Sequence, residues 1–280
     1  MARSARGETR LAVPGVVWGM SATEERSLFE PGPDAVTVLV AAGDGVIAVT
    51  VGGDRVGSFG LLERCRARDV AVRGDRVAVA TDADVLVGRG GALAATGFGP
   101  AVAVGTGDGI VAAGPAGRVS RLGDGEWTDL GTCEGVAAIA DGFVAAADGV
   151  HRVAPGLPST GLSRVADVTG APVPRAATAR GLYRLGNGWL DELPGAATVV
   201  AGTADGDRVH AVVDEAVLAY RDGDWTRVPV GVRGSVVDVG HGPGTYAVTG
   251  TGAFLATVGE GWRTQQLGVD DVGGLAVVSG

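Results

Sequence analysis

A short pattern recurs seven times along the chain: an apolar residue, a small pair built from Ala or Val, a turn of Gly, Asp or Thr, and a second apolar run. Its copies are anchored at Ala42, Ala80, Ala113, Ala146, Ala177, Val212 and Val248, at spacings of 38, 33, 33, 31, 35 and 36 residues. A period near this length also suits helical tetratricopeptide arrays, so the period alone does not choose between helix and strand. The interior of each copy does. Short runs rich in Val and Ala are cut by Gly or Asp-Gly, which leaves no room for two helices per copy. The 50 glycines in 280 residues argue the same way, since each would weaken a helix interior by about 0.5–1 kcal/mol relative to alanine. Each copy therefore reads as four short strands, which in the sixth cover 198–201, 209–213, 217–221 and 224–228.

One such sheet cannot bury both of its faces, whereas sheets stacked radially around an axis bury each against its neighbours. The expected fold is thus all-β, a seven-bladed β-propeller with four short strands per blade. Its ends are complementary. The first copy supplies three strands over 35–62 and no innermost one, while 274–278 follow the seventh copy with no unit after them. A first blade closed by this C-terminal strand would protect an otherwise open edge. The propeller is expected to occupy 24–280 as a single domain. Residues 1–23 read as an N-terminal extension, disordered or upstream of a true start at Met20; Pro14, Gly15 and Gly19 interrupt any signal-peptide core there.

The outer-strand position carries Trp127, Trp189, Trp225 and Trp262, each next to a Gly-containing turn and expected to wedge between blades. With Gly57-Ser58-Phe59-Gly60 and 182–189 (Leu-Tyr-Arg-Leu-Gly-Asn-Gly-Trp), residues 24–280 resemble an uncharacterised β-propeller family of halophilic archaea. That resemblance implies the fold and no activity.

Charge narrows the partners. All 23 basic residues are arginine against 32 acidic ones, for a net charge of −9. Nucleic acids and anionic membranes are held by basic patches, so neither is expected as a partner. An acidic chain without lysine fits a salt-loaded cytoplasm, where self-repulsion is screened. The most apolar stretch, 35–51, has Asp44 at its centre and is no membrane span. Two cysteines, Cys65 and Cys133, make no disulfide framework and suit a reducing, cytoplasmic setting.

Gly-x-Ser-x-Gly, His-Glu-x-x-His, Walker A and Cys-x-x-Cys motifs are all missing. His151 and His210 fall in strand copies and read as packed, and His241 reads as part of a glycine-rich loop. Two groups of residues remain. Asp69, Asp167, Asp238 and Asp271 each precede a valine at the expected start of an inner strand, around the mouth of the central channel, where a hard divalent cation could bind. Arg64, Arg66 and Arg68 form the densest basic run and share that face with Arg164 and Arg233, a set suited to capturing carboxylates. The expectation is a non-catalytic protein-interaction or assembly scaffold. It would need no cofactor, and it would bind another protein's acidic segment through these five arginines. The alternative is a propeller hydrolase or lactonase with a divalent cation on the four aspartates.

Overall fold

The computed structural model describes residues 35–52, 55–89, 91–170, 172–258 and 261–278. The reading for 1–23 therefore lies outside the described residues. Within them, 28 strands form seven antiparallel four-stranded sheets and there is no helix; accordingly no helix is long and apolar enough to cross a membrane.

The sheets are propeller blades, numbered here from the N-terminal side. Blade 1 runs outward as Gly274–Val278, Ala35–Ala42, Gly45–Gly52 and Arg55–Glu63. The expected closure is present: Thr37 faces Val278 and Ala41 faces Gly274 across the ladder. The innermost strands of blades 2 to 7 are Ala67–Arg73, Ala103–Gly107, Val136–Ala140, Val165–Thr169, Ala197–Gly202 and Val236–His241. Each packs against the innermost strands of both neighbours, so the ring is closed around one channel.

The repeat pattern accounts for the packing. The second strand of blades 2 to 7 is nearly fully buried, as in Phe143–Ala146 and Val209–Val213, and that of blade 1 is buried from Val38 to Ala42, because it has a neighbouring blade on each face. That is why it reads as a continuous Val/Ala run and not as an alternation. Its end is tied off by a buried hydroxyl in three blades. Thr81 Oγ1 donates to the Asp84 carbonyl at 2.7 Å, Thr178 Oγ1 to the Gly181 carbonyl at 2.9 Å, and Thr249 Oγ1 accepts the Ala253 amide at 3.0 Å. Apolar clusters then fill the gaps between successive blades.

The tryptophans lie at these gaps. Trp127 of blade 3 packs at a tilt against Phe98, 4.6 Å between centroids, and donates to the Thr96 carbonyl in the preceding connection. Trp189 of blade 5 reaches Thr160 of blade 4, and Trp225 and Trp262 pack against the clusters beside blade 6. Blade 5 is also pinned by an ion pair sealed from water. Arg175 donates Nε to Glu192 Oε2 at 2.9 Å and Nη2 to Oε1 at 3.2 Å, both side chains under 10% exposed at 5% and 8%, with the guanidinium over Tyr220 of blade 6.

Candidate functional site

The channel is a cavity of about 640 Å³ walled by the innermost strands. Three of the four sequence-predicted aspartates line it: Asp69 in blade 2, Asp167 in blade 5 and Asp238 in blade 7. Each is preceded by a β-bulge, at Arg68, Ala166 and Val237, where the inner strand slips register against the second. A bulge re-aims side chains and opens the ladder, and here it serves the exposed edge of the next blade.

Asp69 Oδ1 accepts the amide of Val70 and Oδ2 that of Val104 in blade 3, both at 2.8 Å. Asp167 does the same with Val168 and with Val200 of blade 6, at 2.8 Å each. Asp238 takes Val239 and Leu275 of blade 1, both at 2.7 Å. Each of these three carboxylates is therefore a clamp between two blades, with both oxygens engaged by backbone; a fourth, Asp141, also lines the channel and accepts the Gly170 amide and the Thr169 hydroxyl of blade 5 on Oδ2.

These carboxyls are open to the lumen yet ringed by protein. Burial pushes Asp69 up to about 6, against the pull of its two amides. Burial likewise lifts Asp167 to about 7, with Asp69 and Asp141 adding repulsion. Asp238 is raised well above the carboxylate range by burial and then by the charge of Asp167. Gly274 explains how two of the clamps coexist: a Cβ there would stand 3.0 Å from Asp238 Oδ2 and 3.3 Å from Asp69 Oδ1.

Asp271 is not in this group. The inner strand of blade 1 begins only at Gly274, so Asp271 lies in the connection before it with a left-handed φ of 53°. Its carboxylate turns outward to Arg66 Nη2 at 3.1 Å. Arg66 and Arg68 also converge on Asp82, Arg68 through two bonds of 2.6 and 3.0 Å. Two of the five expected binding arginines are thus paired internally. Arg64, Arg164 and Arg233 are exposed on the connections into blades 2, 5 and 7 and make no ion pair with described residues.

The histidines are partly as expected. His151 and His210 are buried within strands, but His241 ends the innermost strand of blade 7, paired with Thr245, instead of lying in a loop. It lies 5.0 Å from His210 between ring centroids, and burial pushes both down to about 4, so this pair is neutral at physiological pH. Cys65 and Cys133 are both free thiols. One constellation escaped the sequence reading: the ligating atoms of Cys133, Asp148 and His151 lie within 4.8 Å of one another.

The family model of HVO_0234-like beta propellers matches residues 22–278, so the chain belongs to that family. No curated protein sequence matches it. Among solved structures, a functionally unknown protein from Desulfotomaculum acetoxidans is similar at TM-score 0.62 and 13% identity, covering 86% of this chain and 98% of that one. The periplasmic gluconolactonase of Pseudomonas aeruginosa is similar at TM-score 0.61 and 15% identity, over 88% of this chain and 99% of that one. An extracellular domain of a putative hybrid two-component system, BT4673 from B. thetaiotaomicron, gives TM-score 0.54 at 10% identity over 83% of this chain, which spans only 38% of that larger one. At these identities the likeness concerns fold alone.

Proposed function

We propose that this chain, a propeller of that family, is a non-catalytic scaffold whose channel-mouth face docks an acidic segment of another protein. The observation that carries the reading is that Arg64, Arg164 and Arg233 are exposed on the connections into three blades and hold no carboxylate among the described residues. Guanidinium groups in that state favour bidentate capture of carboxylates, on a protein whose net charge of −9 repels anions elsewhere. Arg66 and Arg68 would contribute only by exchanging Asp82 and Asp271 for the partner's acids. The three clamping carboxylates add support from the other side, since a group holding two backbone amides is poorly placed to attack or to shuttle protons.

A labelled Glu-rich peptide, titrated by fluorescence anisotropy against wild type and an Arg64→Ala/Arg164→Ala/Arg233→Ala variant, tests the reading. Truncating a buried Arg–carboxylate pair costs about 2–5 kcal/mol against about 0–1 for a surface pair, so affinity should fall at least tenfold while the melting curve is unchanged. Equal affinity in both proteins refutes it.

One observation favours the alternative of a hydrolase or lactonase with a divalent cation at the channel mouth: the carboxyls of Asp69, Asp141, Asp167 and Asp238 share one lumen, two of them raised to about 6 and about 7, in the range useful for acid–base work. The Pseudomonas gluconolactonase has the same fold. Lactone hydrolysis that needs calcium and disappears in Asp69→Ala would establish this alternative over the scaffold.

A further inference from the structure

Cys133, Asp148 and His151 come from three segments around blade 4. Cys133 lies in the connection from blade 3, Asp148 in the turn between Phe143–Ala146 and Gly149–Arg152, and His151 in the second of those strands. The turn is held from two sides: the Ala147 amide donates to the Glu134 carbonyl at 2.8 Å, and the Arg164 amide donates to the Ala147 carbonyl at 2.8 Å. The Cys133 amide is fixed on the Gly117 carbonyl at 3.0 Å. These backbone bonds set the three side chains toward one point before any ligand arrives.

The histidine is the informative member. Its position on the third strand is filled by Leu218 in blade 6, Leu255 in blade 7 and Ile47 in blade 1, so a polar ring has replaced an apolar one. It is 7% exposed. Nδ1 is 3.1 Å from the Leu157 carbonyl oxygen and Nε2 is 3.0 Å from Asp148 Oδ1. Both neighbours are oxygen acceptors, so the ring is oriented through both nitrogens, Nδ1 toward a backbone carbonyl and Nε2 toward the Asp148 carboxylate. The arrangement of a ligating histidine whose other nitrogen donates to a backbone carbonyl is the common orienting device at metal centres.

Cys133 brings a sulfur donor to the same point. It is 1% exposed and packed among Leu130, Val144, Ala146 and Leu157. Burial, with help from Asp148, pushes its thiol up to about 11, so the free thiol is no nucleophile. A metal would hold it as thiolate.

We propose that Cys133 Sγ, Asp148 and His151 Nε2 form a three-ligand site for zinc, with water in the fourth position. Sulfur, imidazole and carboxylate together suit zinc and disfavour magnesium or calcium. Tetrahedral zinc places such ligands about 3.3–3.8 Å apart given bonds of about 2.0–2.3 Å. The present spread, at most 4.8 Å, closes by small side-chain rotations. The Asp148 side chain is 38% exposed, which gives the ion its entry path and the water its place. Bound zinc would fasten the incoming connection to the third strand, beside the backbone of Arg164, whose amide holds the Asp148 turn.

The test uses the full chain, stripped with chelator and titrated with Co2+ as a spectroscopic probe and with Zn2+ by competition. Wild type should bind one equivalent and show a thiolate-to-cobalt charge-transfer band. Cys133→Ser should lose the band, Cys65→Ser should keep it, and His151→Gln should weaken zinc affinity about 10–100-fold or more. Should His151→Gln fail to fold, the Cys133→Ser and Cys65→Ser pair decides alone. No stoichiometric binding by folded wild type, or a band that survives Cys133→Ser, overturns the proposal.

Discussion

The channel clamps should make the protein less stable as pH rises through neutrality, opposite to the behaviour of an ordinary salt-bridged carboxylate. Asp167 titrates near 3.8 when the chain is unfolded and at about 7 when folded. Between these values the folded state holds a proton that the unfolded chain has released. Its contribution is therefore fully present below pH 4 and is lost as pH climbs through 7. A displacement of about 3 pKa units corresponds to about 4 kcal/mol, an upper figure because lumen water screens the charge, and Asp69 adds up to about 3 kcal/mol by the same reasoning. For a domain of this size about 4 kcal/mol moves the melting temperature by roughly 8–16 °C. The diagnostic variant is Asp167→Ala, since blades 3, 4 and 6 carry Ala103, Ala138 and Val199 at the matching place. Melting curves at fixed ionic strength at pH 4.5, 6 and 8 should fall steeply for wild type and less steeply for the variant. The two amide bonds lost in Asp167→Ala are stronger to the carboxylate than to the acid, and that difference is already contained in the folded value of about 7; the change in packing is common to all three pH values and drops out of the slope. Asp82, Asp84 and Asp205, all held low, destabilise only on acidification below pH 4 and do not enter this window. Equal slopes in the two proteins, or a wild type that grows more stable from pH 4.5 to 8, would refute the reasoning.

Further expectations concern the rest of the ring. Removing 273–280 takes the inner strand from blade 1 along with its ladder to Ala35–Ala42, and the truncated chain should melt far below wild type in matched buffer; unchanged melting would contradict closure. Arg175→Ala should cost about 3–5 kcal/mol, because it strands a buried Glu192 carboxylate; a loss under about 1 kcal/mol by denaturant unfolding would place the pair at the solvated limit. If the net charge of −9 reflects a salt-loaded setting, raising KCl from about 0.1 to about 1 M, which shortens the Debye length from about 10 to about 3 Å, should raise the melting temperature, and a fall would count against it.

The fold was legible in the sequence because each blade repeats the same local instructions. The 274–278 strand was readable to the residue, since it is an apolar run with no hairpin of its own. The sixth copy differs from its expected strands by at most one residue at each end. The site was legible only in part, for a reason visible in one dipeptide. Asp69-Val70 and Asp271-Val272 look alike in sequence, but a bulge at Arg68 turns the first inward and a left-handed residue with an arginine beside it draws the second out. Gly240-His241-Gly242 carries loop-like glycines, yet cross-strand pairing with Thr245 keeps His241 in the sheet. Cys133, Asp148 and His151 have no common motif spacing, because it is the connection between two blades that brings the cysteine back onto the hairpin.

The closing strand also dictates an order of events. Ala41 cannot meet Gly274 until more than 230 intervening residues have been made, so a chain emerging from the ribosome can complete blades 2 to 7 while blade 1 still lacks its innermost strand. Until then the Ala35–Ala42 edge stands unpaired, a template for any other strand that arrives first. The last contact formed is the one with the greatest loop-closure entropy. Ring closure should thus appear as the slow phase of refolding, and the half-closed ring as the species that a chaperone or a second nascent copy would encounter.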